Sequence, residues 1–85
     1  MPAMTPVNSS NIAAIGWEEH EVPEDANDPH ERRGTLTVDF RSGRTYRYMD
    51  VPESVYDDLL NAPSVGQTFA TLVRQGGYVF EKVEG

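Results

Sequence analysis

Hydrophobic and polar positions alternate along Leu36-Thr37-Val38-Asp39-Phe40 and again along Tyr46-Arg47-Tyr48, on either side of Arg41-Ser42-Gly43-Arg44. Period-two alternation around a turn predicts a β-hairpin. Two registers are open. A two-residue Ser42-Gly43 turn sets Tyr46 opposite Asp39. A three-residue Arg41-Ser42-Gly43 loop, with Gly43 in the left-handed region, sets Val38 opposite Tyr46 and Leu36 opposite Tyr48. The second register is preferred. It gathers Leu36, Val38, Tyr46 and Tyr48 on one face and leaves Thr37, Asp39, Thr45 and Arg47 on the other, whereas a slip of one residue would reverse the tyrosines.

The remaining apolar positions extend this unit. Ile12 to Trp17 reads as a first strand with Ala13, Ile15 and Trp17 on one face. Ile12 falls out of phase, which calls for a bulge or cover on both sides. After the hairpin, Pro52 suits a first helical position and Glu53 suits the positive end of the dipole. Val55, Tyr56, Leu59 and Leu60 then form a helical stripe that ends at Asn61-Ala62-Pro63. Ser64 and Gln67 fit a capping box, Val65, Phe69, Leu72 and Val73 recur at helical spacing, and Gln75-Gly76-Gly77 supplies a stop. Tyr78 to Val83 is a candidate fourth strand. The order predicts an α+β fold, a three- to four-stranded antiparallel sheet with two helices packed on one face. Met1 to Val7 reads as a flexible N-terminal arm, and residues 8–85 as a single domain.

Charge changes this picture in one segment. The 85 residues carry a net charge of −7. Residues 18–33 hold seven acids against Arg32 and Arg33, a balance of −5, and the rest of the chain holds seven acids against five bases, a balance of −2. His20 to Arg33 has no periodicity and is broken by Pro23, Asn27, Asp28 and Pro29. It predicts a long exposed acidic loop at about residues 19–33. The overall acidity argues against tight non-specific binding to nucleic acid, while leaving room for a local basic site. There is no cysteine, so neither disulfides nor thiolate metal sites support the fold. No apolar run approaches the roughly 20 residues of a membrane span. The first residues lack the basic and apolar stretches of a signal peptide, so a cytoplasmic location is expected.

Several short motifs now stand in a recognisable order: Ser9-Ser10, Ile15-Gly16-Trp17, Leu36-x-Val38-x-Phe40 with Gly43, Tyr46-x-Tyr48, Val51-Pro52, Val55-Tyr56, Ser64-x-Gly66-x-x-Phe69 and Val73-Arg74. Together they resemble the KTSC domain, a small bacterial domain found alone or at the C-terminus of some lysyl-tRNA synthetases. The likeness runs from Val7 to Phe80, nearly the whole chain. The family has no settled activity, and RNA binding, suggested for it from the synthetase attachment, is what the resemblance implies here. The acidic segment at 19–33 departs from the short turn that members usually place between their first two strands.

The candidate chemistry is that of binding. Tyr46 and Tyr48 either pack beneath the helices with their hydroxyls at the edge or form a stacking platform for bases. The preferred register favours the first. Arg41 and Arg44 sit at the hairpin tip, Arg47 on the outer sheet face and Arg74 at the end of the second helix. These are either solvated and capping residues or parts of an anion site in which Ser9, Ser10 and Asn11 meet Arg74 near the amides of Ser64 to Gly66. Gly66 early in a helix points to a close approach by another segment. His20 and His30 lie among acids, but their spacing matches neither an EF-hand nor a zinc motif, so no metal is expected. Asp57 and Asp58 diverge on a helix. No nucleophile, base and oxyanion motif occur together, so neither an enzyme nor a cofactor is expected. The expectation is a non-catalytic module recognising RNA or a nucleotide-like phosphate ligand through Ser9, Ser10, Arg47, Tyr48 and Arg74. The alternative is a protein-interaction module or homo-oligomer that uses residues 18–33. A third reading is a phage or plasmid accessory protein that sequesters a host signalling nucleotide.

Overall fold

A computed structural model describes residues 4–19 and 33–83 of the chain. Its elements run β1 (Thr5–Pro6), β2 (Ile12–Glu19), β3 (Arg33–Phe40), β4 (Thr45–Pro52), α1 (Glu53–Asn61), α2 (Val65–Phe69), a π-helical segment (Ala70–Arg74) and β5 (Phe80–Val83). The strands form one antiparallel sheet in the order β1-β2-β3-β4-β5. The fold is α+β, with five strands rather than three to four. The candidate fourth strand is present, and the fifth comes from the N-terminal end. Thr5–Pro6, expected in a flexible arm, pairs with Ala14 and Ile15, and the C-terminal segment pairs with β4. The acidic loop expected at 19–33 lies outside the described residues, except that Glu19 ends β2 and Arg33 begins β3.

The hairpin has the three-residue register. Val38 faces Tyr46, Leu36 faces Tyr48 and Thr37 faces Arg47. Gly43 takes φ +93°, and its N–H donates to the Phe40 carbonyl at 3.0 Å. A left-handed turn residue is tolerated best when it lacks a Cβ.

Two bulges keep the inner face apolar. In β2, Ile12 pairs with Phe40 but Ala14 pairs with Asp39, so Ala13 is the extra residue. This restores Ile12 to the same face as Ile15, and both are buried. In β4, Tyr48 pairs with Leu36 and Val51 with Gly34, leaving one extra residue at Met49-Asp50. Asp50 there has φ +60°, a conformation that aspartate reaches more readily than most side chains. A bulge shifts the alternation by one, so Val51 turns inward and is fully buried. The strand thus runs to Pro52, which caps α1 from outside instead of opening it.

Both helices cover the face formed by Ile15, Leu36, Val38, Tyr48 and Val51. Leu59 from α1 and Val65, Phe69 and Val73 from the second helix complete the buried core. Leu60, expected in the apolar stripe of α1, is exposed instead. Ser64 caps α2 as predicted, its hydroxyl accepting from the Gln67 N–H at 3.4 Å. The indole Nε1 of Trp17 donates to the Val51 carbonyl at 3.0 Å and the ring stacks on Tyr56. That arrangement requires Gly34, where a Cβ would stand 2.1 Å from the Glu18 carbonyl oxygen and 2.8 Å from the Trp17 ring.

Candidate functional site

The core does not close over the β4–β5 side of the sheet. A cleft of about 410 Å³ opens there between the sheet and the second helix. Its walls come from the ends of four segments that the sheet order brings together. Asn11 and Ile12 enter from the turn before β2, Phe40 from the end of β3, Tyr46 and Tyr48 from β4, and Phe80 from β5. Gly66, Phe69, Ala70 and Arg74 descend from the helix. A smaller hollow of about 250 Å³ continues past Tyr48, Arg74 and Phe80 to Val73 and Tyr78.

Five aromatic rings form one connected set in this cleft. Phe69 meets Phe40 at 5.7 Å and Tyr48 at 5.5 Å, both edge to face. Tyr46 meets Phe40 at 5.6 Å and Phe80 at 6.1 Å, again edge to face. Phe80 lies 5.5 Å from Tyr48. Such offset and edge contacts hold rings in fixed orientations. Phe69 is only 3% exposed, whereas Phe80 is 59% exposed. The set therefore runs from a buried anchor to an open wall.

The helix reaches the cleft through its π-helical segment. The Gln75 N–H donates to the Ala70 carbonyl at 3.2 Å, five residues back. Five-residue hydrogen bonding brings positions five apart onto one face, so Phe69 and Arg74 both line the opening. Gly77 then ends the helix at φ +76°.

Charge in the cleft is one-sided. Among the described residues, Arg74 is its only charged lining residue and no carboxylate lines it. Burial raises the Tyr48 hydroxyl above the ordinary tyrosine range, and the nearby Arg74 guanidinium pulls it partly back. Phenol and guanidinium thus share one end of the opening.

Of the expected site residues, Tyr48 and Arg74 line the cleft. Ser9 supports its rim. The Ser9 hydroxyl accepts from the N–H groups of Asn11 and Ile12, both at 3.3 Å. It also packs over Gly66, where a Cβ would stand 3.2 Å from Oγ. The Ser9 carbonyl accepts from Arg41 Nε, and the Asn11 carbonyl from the Arg41 N–H at 2.8 Å, so the hairpin tip clasps this turn. Ser10 is exposed and is not part of the lining. Arg47 lies on the opposite sheet face and pairs with Glu81 at 3.4 Å. It is therefore removed from the constellation in which the sequence placed it. At the helix start expected to cradle an anion, the Ser64 hydroxyl takes the Gln67 N–H and the Ser9 hydroxyl packs beside Gly66. Phe40, Phe69, Ala70 and Phe80 were not foreseen as lining. A hint for Phe80 lay in the alternation of Tyr78 to Val83, but its place beside Tyr48 needed the β4–β5 register.

Comparison with known proteins bears on the same region. A family model described as the KTSC domain matches residues 29–78. The chain belongs to the KTSC domain family. A KTSC domain protein from Yersinia pestis has a similar crystal structure, with 30% sequence identity, a TM-score of 0.73 and coverage of 99% of this chain and all of that one. A protein from Tsukamurella paurometabola is 39% identical over 71 residues, covering 84% of this KTSC domain chain and 88% of its own length. A lysine–tRNA ligase from Nostoc punctiforme is 49% identical over 49 residues, 58% of this chain. Those residues span only 9% of the ligase, so the likeness concerns one small region of a much larger protein.

Among the described residues, no group of three or more histidine, aspartate or glutamate side chains gathers to hold a metal ion. No helix among them is long and apolar enough to cross a membrane.

Proposed function

We propose that this KTSC domain is a non-catalytic binding module whose cleft receives RNA or a nucleotide-like phosphate ligand. The observation that carries the reading is the lining itself: among the described residues it offers five aromatic rings, the amide of Asn11 and the guanidinium of Arg74, and no carboxylate. Aromatic walls accept a base by stacking, and a guanidinium accepts a phosphate through its planar fork. The size of the opening, about 410 Å³, is in the range of small-ligand sites. Phe80 leaves one wall open to solvent, so a ring can enter without unpacking the core. The presence of a similar region in lysine–tRNA ligases, proteins that act on tRNA by name, adds support from a separate direction.

The test is binding of nucleoside monophosphates and short RNAs at low salt. Arg74→Ala removes a charge-assisted contact worth about 1.5–3 kcal/mol, which corresponds to a loss of roughly 10- to 150-fold. Arg47→Ala, on the far face, leaves affinity unchanged. No binding by wild type, or full binding by Arg74→Ala, defeats the proposal.

A second reading draws on the −5 balance of residues 18–33, which suits a basic protein partner or contacts within a homo-oligomer. Partner capture that is unchanged after deletion of residues 20–32 would dismiss it.

A further inference from the structure

The chain is acidic, yet its cations are not spread evenly. Arg47 is held by Glu81 on the outer face of the sheet, and Arg41 is engaged with the Ser9 turn. Three further cations, Arg44, Lys82 and Arg74, have no carboxylate partner among the described residues. All three belong to the cleft side. Arg74 lines the cleft directly. Lys82 is paired with Tyr46 across β4 and β5, and directly paired residues point to the same face with Cβ atoms about 5 Å apart. Arg44 precedes Tyr46 by two residues, about 7 Å along the extended chain, and so shares its face.

The described acids Glu81 and Asp39 lie on the other face of these strands. Glu81 alternates with Phe80 and Lys82 and falls on the outer face, where it meets Arg47. Asp39 also faces outward, paired with Thr45 and accepting from the Thr45 hydroxyl at 2.6 Å. The strip from Arg74 past Phe80 and Tyr46 to Lys82 and Arg44 therefore combines three cations with exposed or half-buried rings. It is longer than the cleft, and two of its three cations stand outside the lining.

A single nucleotide needs only the cleft and Arg74. Two more cations placed along the same face, with Tyr46 and Phe80 between them, match a chain of phosphates with a base at each step. We infer that the β4–β5 face carries a second subsite that adds Arg44 and Lys82 to the outer side of the cleft's Tyr46 and Phe80 wall, and that the preferred ligand is a short single strand of nucleic acid rather than a free nucleotide. This inference rests on the cleft reading proposed above. The strand seats one nucleotide in the cleft against Arg74 and the next on the exposed rings, with its phosphates against Lys82 and Arg44. The net charge of −7 disfavours non-specific binding of longer strand.

The experiment titrates the full chain with uridine monophosphate and with single-stranded tetranucleotides of RNA and of DNA, from low to moderate salt. The expected result is a gain of at least about tenfold from monophosphate to tetranucleotide, in one or both sugar arms, from contacts to phosphates outside the cleft. The sugar arm that gains tells which strand is the ligand. The double variant Arg44→Ala, Lys82→Ala abolishes the gain and leaves monophosphate binding at the wild-type level. Its log–log salt slope for the tetranucleotide is shallower by about 1.4, since each neutralised single-strand phosphate contributes about 0.7. Both substitutions are at exposed positions, and circular dichroism establishes that the variant is folded. A tetranucleotide bound no better than the monophosphate, or bound equally well by the double variant, overturns the second subsite while the cleft reading survives. Equal affinity for a glutamate tetrapeptide overturns the assignment to nucleic acid. Failure of wild type to bind any nucleotide or strand removes the cleft reading itself.

Discussion

Phe69 and Phe80 line the same cleft, but they are held so differently that truncating each should separate the fold from the site. Phe69 is 3% exposed and packs edge to face on Phe40 and Tyr48. Phe69→Ala removes a buried ring and leaves a cavity beneath the helix, at a cost of about 3–5 kcal/mol. A domain of this length has roughly 4–13 kcal/mol to lose, at about 0.05–0.15 kcal/mol per residue. The variant is therefore at the edge of folding. Phe80 is 59% exposed, so only two-fifths of its surface leaves water. Full burial of a phenylalanine is worth about 1.5–3 kcal/mol, which scales to about 1 kcal/mol here. Its contacts with Tyr46 and Tyr48 add about 0.5 kcal/mol. In urea, at a slope of about 1 kcal/mol per molar, Phe80→Ala lowers the midpoint by about 1–1.5 M and Phe69→Ala by about 3 M or more. Nucleotide binding separates them in the other direction. Phe80→Ala stays folded and loses the stacking contact, about 1–3 kcal/mol or roughly 5- to 150-fold in affinity. Equal destabilisation by the two substitutions would refute the distinction between anchor and wall. A folded Phe80→Ala protein with wild-type affinity would refute the stacking role.

Two further outcomes follow from named contacts. Gly34→Ala drives a Cβ into the Glu18 carbonyl and the Trp17 ring; the β2–β3 pairing must shift, at a cost of about 1–3 kcal/mol or more, read as a lowered urea midpoint with the Trp17 fluorescence altered. The Tyr48 hydroxyl is raised by burial, so its contribution to stability is complete below the unfolded-state value near 10 and is lost as pH rises from there through the folded value. Arg74→Ala removes the opposing positive charge, so the titration step missing from Tyr48→Phe should move further upward in an ultraviolet titration of tyrosinate; a downward move would contradict the placement of Arg74 beside Tyr48.

The site was only partly legible before the fold was known. Tyr48 and Arg74 could be picked out because an aromatic on the inner face and a cation at a helix end are local features. The sequence points to Ser9 as a ligand-binding residue, and in the structure its hydroxyl serves the turn that supports the rim. The sequence sets Arg47 beside Tyr48, yet neighbours in a strand point to opposite faces, and its partner is Glu81 on a strand more than thirty residues further along the chain. Phe69 read simply as a core position, and Phe80 carried no strong signal at all.

What the sequence determined by itself was what adjacent residues decide together. Period-two alternation and a glycine in the loop set the β3–β4 register, because a slip of one residue would bury Arg47 and expose the tyrosines. The Ser64 cap and the Val65, Phe69 and Val73 stripe were likewise local. The tertiary structure decided what depends on segments distant along the chain. The Ala13 and Met49-Asp50 bulges exist because the partner strands must both present apolar faces to the same helices. Thr5–Pro6 gains its strand only from β2, and β5 only from β4. The cleft is the space left where the turn before β2, the ends of β3 and β5, strand β4 and a π-helical turn fail to meet. No short stretch of sequence encodes a gap, because its shape is set by how far apart the surrounding elements are held.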